Sequence, residues 1–402
     1  MLQVDILKSG SLNSPIGPTG TLRRLQRDKG YIKERGYELK IFSANYFDDI
    51  ELNHNSPSNN SSKKRVKSKL KHLVNKSRLS SIVFTIRTMR NARKLVINYK
   101  KLNRTPDVVV FHDFFVYDQY VRVINNDTKK VLFFHSDGLK FEMLYKNFPK
   151  LRKSLFAKYL EKRFDKTIKN LDKLVFIAKI GQKNFLNTNS YINPSKTIFF
   201  HNGIDDLSHE QKKENINIPE NKRFKYRLIC TGTVSERKGQ YLIINALSKI
   251  NEDILKDVHV TLLGSGSQLS YLEEHVKNNN LTKHVSFEGS IDNSIVYKYL
   301  KQANIYILMS NNEGLPISII EAMRSNLPII STKIAGIPEL VENNKNGVLI
   351  DPAEKQLIEL LNNINSYNWA EMGKLSRNRF ENEFTFDKMR EAYCDMLDSL
   401  NE

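Results

Sequence analysis

Two carboxylates and a helix start give this sequence its clearest chemistry. The stretch NNEGLPISIIEAM, residues 311–323, carries Glu313 directly before Gly314, Leu315 and Pro316, with Glu321 eight positions after Glu313. Gly-Leu-Pro opens a helix, and the free backbone N–H groups at a helix start, backed by the positive end of its dipole, form a site for a diphosphate. The two glutamates flank that site, Glu321 standing one turn after Ile317 and on the same side of the helix. The spacing alone is common: without context, Glu313 reads as a loop or capping residue and Glu321 as a solvated helix residue.

Other positions have weaker claims. The turn Gly264-Ser265-Gly266 follows a predicted strand and precedes a predicted helix, so its backbone can approach a nucleotide closely, although a plain turn explains it equally well. Histidines end two predicted strands, His112 (followed by Asp113) and His135, where an isolated His is more often a satisfied core residue. Cys230 and Cys394 provide no disulfide framework and no C-x-x-C pair, which agrees with a reducing compartment.

The elements that must position these residues alternate along the whole chain. LQVDIL (2–7) reads as a buried strand, followed by a Gly/Pro/Ser-rich loop over residues 8–20, a helical pattern through Glu34 and a strand over 38–42. That β-loop-α-β unit places its loop at the carboxyl edge of a parallel sheet. Residues 53–62 form a polar loop, and from Leu79 to Tyr99 the positions Leu79, Ile82, Val83, Ile86, Met89, Val96 and Tyr99 recur at helical spacing among arginines and lysines. Apolar runs at 106–113, 129–138, 172–178 and 196–205 have the continuous character of buried parallel strands. The polar stretch 206–224 reads as a linker. After it, strands over 226–232, 257–266, 284–290, 304–310, 327–334 and 347–351 alternate with helices, and 384–400 is a helical tail. The expectation is α/β: two doubly wound domains facing across a cleft, residues 1–205 and 225–383, with residues 384–402 crossing back to the first.

Composition bounds the function. A chain of 402 residues suggests two domains of about 200 residues each. No run is apolar enough to span a membrane and no signal peptide is evident, so a cytoplasmic protein is expected. The net charge of +19 is uneven: residues 57–106 hold fifteen Lys or Arg and no Asp or Glu. Such a face attracts polyanions of any kind, and charge alone does not choose among lipid, nucleic acid and acidic glycan.

The motifs E-G-L-P-x-S-x-x-E-A-M, P-I-I-S-T and A-G-I-P-E-L-V, strongest within residues 228–351, resemble those of the nucleotide-sugar glycosyltransferases with two Rossmann-like domains (GT-B), in particular the retaining group called family 4. The resemblance implies that Glu313 bonds hydroxyls of the donor sugar and Glu321 the ribose. Gly314, Leu315 and Pro316 would shape the loop, and the N–H groups of Ile317 and Ser318 would hold the distal phosphate. TGTVSERKG (231–239) is similar to the family's phosphate loop: Lys238 falls on its Lys position, while Thr233 stands where the family has Arg and Arg237 is the candidate substitute. Gly264 and Gly266 would border the nucleotide, with 288–291 near the base. Gly17 and Gly20 would correspond to the glycine loop after the first strand, and His135 to the His near the reaction centre. The turn His201-Asn202-Gly203 is mostly structural.

Those implications give a metal-independent hexosyltransferase with no cofactor beyond its substrate, a nucleotide sugar, UDP foremost; the absence of a D-x-D triplet agrees. Closure would bring Glu313, Lys238 and His135 around the anomeric carbon. The basic first half points to the inner face of the cell membrane and to a lipid-linked or growing surface-polysaccharide acceptor. The alternatives are a sugar-nucleotide epimerase or phosphorylase on the same fold, and a non-enzymatic basic binding protein. Nucleic acid is not expected, because the basic stretches lack interleaved aromatic platforms and recognition modules.

Overall fold

Six short apolar runs in each half of the chain assemble into one parallel sheet per half. The computed structural model describes residues 1–10, 12, 19–43, 78–209, 211 and 223–400, except the side chain of Met143. The linker stretch 206–224, the 53–62 loop and much of the basic run after residue 57 therefore lie largely or wholly outside the described residues. The chain divides into two units, Met1–Phe200 with Glu391–Glu402, and His201–Arg390.

In the first unit the strands are β1 (Leu2–Lys8), β2 (Tyr37–Ser43), β3 (Val108–Phe111), β4 (Lys129–Phe134), β5 (Lys173–Phe176) and β6 (Thr197–Phe199), in the order β2-β1-β3-β4-β5-β6. All pairs are parallel, which requires crossovers and hence helices over the faces. Helices Arg78–Lys100, Phe114–Val123 and Leu155–Ile168 cover one face with Val96, Tyr99, Tyr117, Tyr120 and Phe164 packed on Phe111, Leu132 and Phe176. The order reverses between β1 and β3, and such a switch point opens a crevice at the carboxyl ends of those strands.

One polar feature is buried with this core. Asp5 on β1 has no exposed surface, and its carboxylate accepts from Tyr99 Oη at 2.6 Å and from Arg104 Nε and Nη2 at 2.7 and 2.9 Å. Burial and the neighbouring carboxylate raise the Tyr99 phenol, keeping it a donor.

The second unit has β7 (Tyr226–Thr231), β8 (Val258–Leu263), β9 (Val285–Gly289), β10 (Ile305–Leu308), β11 (Ile329–Thr332) and β12 (Gly347–Ile350), ordered β12-β11-β10-β7-β8-β9 and parallel throughout. Counted from β7, this is the 3-2-1-4-5-6 order of dinucleotide-binding folds. Its switch point lies between β7 and β10. Both folds are thus α/β and Rossmann-like, as expected from the alternation of elements.

Three boundaries differ from the sequence reading. Residues 201–205 belong with the second unit, because Ile204 pairs with the 384–386 segment: its N–H donates to Phe384 O at 3.1 Å and its carbonyl accepts from Phe386 N at 2.8 Å. The tail is two helices, Trp369–Glu383 and Phe386–Asp398, and only the second reaches the first unit, where Asp395 and Asp398 bond Arg35 at 3.0 and 2.7 Å and Tyr393 stacks on Phe133. Helix Arg78–Lys100 buries Ser81, Thr85, Ala92, Leu95, Val96 and Tyr99, while Leu79 and Val83, expected on its core face, are exposed.

Removing the Asp5 charge leaves the Arg104 guanidinium half-enclosed without its counterion. Asp5→Asn should therefore destabilise the protein by about 3 kcal/mol, read as a lower urea midpoint by circular dichroism.

Candidate functional site

The two loops that carry the predicted chemistry leave the two strands at the second unit's switch point. β7 runs into residues 232–239, and β10 into residues 309–316 before helix Ile317–Arg324. Neither loop is regular, so each is held by specific contacts. On the β10 side, Thr332 Oγ1 donates to Ser310 O at 2.6 Å, and Gly336 N to Gly314 O at 3.0 Å. On the β7 side, Gln240 Nε2 donates to the Thr233 carbonyl at 3.1 Å. The loops are tied to one another by Asn311 N to Arg237 O at 2.9 Å.

Glycine decides how closely these segments approach. Gly239 has φ +70, and a Cβ there would sit 1.9 Å from Met309 O. Gly264, with φ +138, and Gly266 would place a Cβ 1.8 Å from Gly232 O and 2.0 Å from Val234 O. The Gly264–Gly266 turn thus lies directly against the neighbouring loop and buttresses it, an approach that a Cβ at either glycine would block.

At the centre lies Glu313, buried at the end of the β10 loop. Its Oε1 receives Lys238 Nζ at 2.7 Å, Arg237 Nη1 at 2.8 Å and Ser310 Oγ at 2.9 Å. Arg237 Nη1 also donates to the Asn312 carbonyl at 2.9 Å. Lys238 is buried, whereas Arg237 stays partly exposed. Two cations face one carboxylate, so the cluster keeps one positive charge in excess. Thr233 is exposed on the same loop. The structure thus brings Glu313, Lys238 and Arg237 into direct contact.

Helix Ile317–Arg324 starts immediately after this cluster. Leu315 and Pro316 are buried, so the loop can offer a ligand little more than backbone there. Ile317, Ser318 and Glu321 lie on the partly exposed face, opposite Ile319, Ile320 and Met323 in the core. Because the first N–H groups of a helix have no acceptor within it, those of Ile317 and Ser318 suit an anion.

In the first unit, His112 follows β3 and His135 follows β4. They are hydrogen-bonded, His112 Nδ1 to His135 Nε2 at 2.9 Å, and stacked. Burial pushes His135 down to about 4 and His112 well below its ordinary value, with the Lys8 cation adding to both. The pair is neutral at physiological pH, and since Nε2 of His135 is engaged, Nδ1 is the nitrogen left for another partner. Sequence reasoning gave His112 little weight, because nothing in the spacing of 112 and 135 signals that adjacent parallel strands place them side by side. Asp113 is structural, capping helix Phe114–Val123 through Val116 N at 2.9 Å. Gly20 is in helix Thr19–Arg27 rather than the loop before it, and Gly17 lies outside the described residues. Among the described residues, no three His, Cys, Asp or Glu gather to hold a metal ion.

Known proteins resemble this chain in sequence and in fold. Residues 209–379 match the family described as Glycosyl transferases group 1. An uncharacterized glycosyltransferase of Methanocaldococcus jannaschii is 28% identical over 212 residues, 52% of this chain and 49% of the relative. A putative colanic acid biosynthesis glycosyltransferase of Escherichia coli is 26% identical over 183 residues, 43% of this chain and 45% of the relative. The chain thus spans about half the length of these curated relatives. The structure of Anabaena HepE in complex with UDP is similar over 99% of this chain and 100% of that one, with a TM-score of 0.65 and 16% identity.

The buried imidazoles fix a sign for acid stability. Unfolded histidine takes up its proton near pH 6.5, while native His135 resists protonation to about pH 4, so the unfolded chain binds more protons in between and stability falls as pH drops through that window. His135→Asn should lower Tm at pH 7, and its deficit relative to the parent should shrink toward pH 4.5, as measured by calorimetry across the range. Residues 209–379 thus match the Glycosyl transferases group 1 family, and the whole chain shares its fold with solved structures that include a glycosyltransferase from Rickettsia africae, at a TM-score of 0.63 and 18% identity over 100% of this chain and 99% of that one.

Proposed function

We propose that the protein is a retaining, family 4 glycosyltransferase that moves a hexose from a nucleoside diphosphate sugar, with UDP as the nucleotide, to a lipid-linked or growing surface-polysaccharide acceptor at the cytosolic face of the membrane. The observation that carries this reading is the Glu313 carboxylate clamped by Lys238 and Arg237 beside a helix start at the sheet's switch point. A buried carboxylate with one engaged oxygen has its other oxygen to accept sugar hydroxyls. The two cations and the helix N-terminus stabilise the charge that grows on the departing diphosphate, which is the task a metal performs elsewhere. Arg237 takes the part that Thr233 lacks the charge to play.

In this mechanism the acceptor hydroxyl attacks the anomeric carbon on the face from which the diphosphate leaves. The bond between that carbon and the phosphate oxygen breaks as the new glycosidic bond forms, and the leaving phosphate oxygen takes the hydroxyl proton. Glu321 holds the ribose hydroxyls, and neutral His135 meets a sugar hydroxyl through a hydrogen bond rather than as an acid. The acceptor and its membrane location are supported by the acid-free basic run of residues 57–106 and by the likeness to a relative named for colanic acid biosynthesis.

The test is a donor panel of UDP, GDP and dTDP sugars, scored for released nucleotide with and without lipid-linked acceptor. Acceptor-stimulated release is expected from UDP sugars, with the anomeric configuration retained by NMR. Glu313→Gln keeps the size of the side chain and an oxygen for Lys238 but removes the counterion of two cations, so it should lower Tm as well as kcat, the latter by about 100-fold when assayed at a temperature where circular dichroism shows the variant folded. Full turnover by that variant would remove Glu313 from the mechanism.

A further inference from the structure

Leu79 and Val83 on helix Arg78–Lys100 are 76% and 64% exposed, and Leu155 and Tyr159 on helix Leu155–Ile168 are 80% and 49% exposed. Each pair is spaced i, i+4, so each forms one small apolar face. The two helix starts meet: Arg78 Nη2 donates to Lys153 O at 3.1 Å, and the Phe84 and Phe148 rings lie 5.0 Å apart. Ile82 and Phe156, neighbours of the exposed residues, pack on one cluster of Tyr145, Phe148, Leu151 and Ala157. Leu79, Val83, Leu155 and Tyr159, with the edge of Phe84, therefore border a single packed junction.

The charge around that junction has one sign. Arg87, Lys150, Lys153 and Lys158 are exposed, and neither 78–106 nor 143–160 contains an acidic residue. The nearest acids in sequence are engaged, Glu142 with Arg152 at 3.5 Å and Glu161 with Tyr145 Oη at 2.8 Å. The exposed rings at the junction are engaged, Phe84 on Phe148 and Tyr159 beside Phe156 with the Arg163 guanidinium over it, so they form no open row of platforms for nucleobases. Aliphatic tips, a tyrosine with a wet end and lysines that can snorkel suit the boundary between acyl chains and anionic headgroups.

We propose that this junction is a membrane-insertion edge: Leu79, Val83, Leu155 and Tyr159 enter the headgroup boundary of an anionic bilayer while the surrounding Lys and Arg side chains meet lipid phosphates. This rests on the membrane-facing part of the proposed function and not on its donor chemistry. Charge draws the protein to the surface, and the apolar tips hold it there.

The experiment is co-sedimentation of the full chain with phosphatidylcholine vesicles, with and without phosphatidylglycerol. Binding is expected to the anionic vesicles only. The double variant Leu79→Ser with Leu155→Ser, its charge unchanged, should bind them at least about tenfold more weakly, and Lys150→Glu with Lys153→Glu should weaken binding similarly at low salt. Tm checks that each variant is folded. Wild-type affinity in the serine variant would overturn the proposal by leaving charge alone responsible. Failure of the parent to bind anionic vesicles would overturn it too, and is the result expected if a protein or nucleic acid covers this surface. Nucleotide release without vesicles is read in parallel: it stays unchanged in the serine variant, and its failure in the parent strikes only the donor chemistry.

Discussion

The second unit's site depends on one buried carboxylate and the cations that make its burial possible. An ionised Glu313 removed from water without partners would cost several kcal/mol, so it can occupy the end of the β10 loop only while Lys238, Arg237 and Ser310 converge on it. The reverse holds as well: Lys238 is buried and needs the carboxylate. Each loop therefore fixes the other, and the helix that begins at Ile317 inherits its direction from that contact. One positive charge is left over, together with the partial charge of roughly half a unit at the helix start. A pre-organised excess of positive charge in a partly dehydrated place is what a departing diphosphate requires.

Thr233 stands where the resemblance implies an Arg, and the second cation beside Glu313 is Arg237. The loop turns through the short 3₁₀ segment Glu236–Lys238, in which neighbouring side chains point about 120° apart. Arg237 nevertheless reaches the same carboxylate as Lys238, because it is long enough to cross beside the Asn312 carbonyl and is anchored there. Thr233 lacks both the length and the charge for that position, and its carbonyl instead receives Gln240. Gly264 and Gly266 complete the support by letting the turn after β8 lie directly on the loop.

Much of this was legible in the residues, for reasons that can be stated. Strands buried on both faces read as apolar runs, so all twelve fall within the stretches assigned to strands or their edges, and the Glu313, Lys238 and helix-start residues stand in motifs dense enough to be read together. Strand order was not legible, since apolar runs do not encode which neighbour they pair with, and with it went the His112–His135 contact. Helix Arg78–Lys100 misled for another reason. Its buried face uses Ser81 and Thr85, whose hydroxyls donate to Arg78 O at 2.7 Å and Ser81 O at 2.8 Å. Such side chains satisfy themselves on the helix and enter a core at little polar cost. A pattern that counts them as polar places Val96 and Tyr99 in the core correctly but adds Leu79 and Val83, which are exposed.

That error separates two uses of positive charge. At Glu313 both cations are paired and Lys238 is enclosed, so that its interaction is shielded from salt by the protein around it. The Arg and Lys side chains along helix Arg78–Lys100 and the 149–158 segment are exposed, and attraction of this kind decays within a Debye length. The net charge of +19 is therefore no measure of the Glu313 cluster, where two cations face one carboxylate. Rising ionic strength should act on attachment to a charged surface long before it acts on the grip on a diphosphate. Under the proposed function, salt or lipid composition would move the protein on and off a surface while the Glu313 cluster stays intact, because the two draw on charges in different dielectric surroundings.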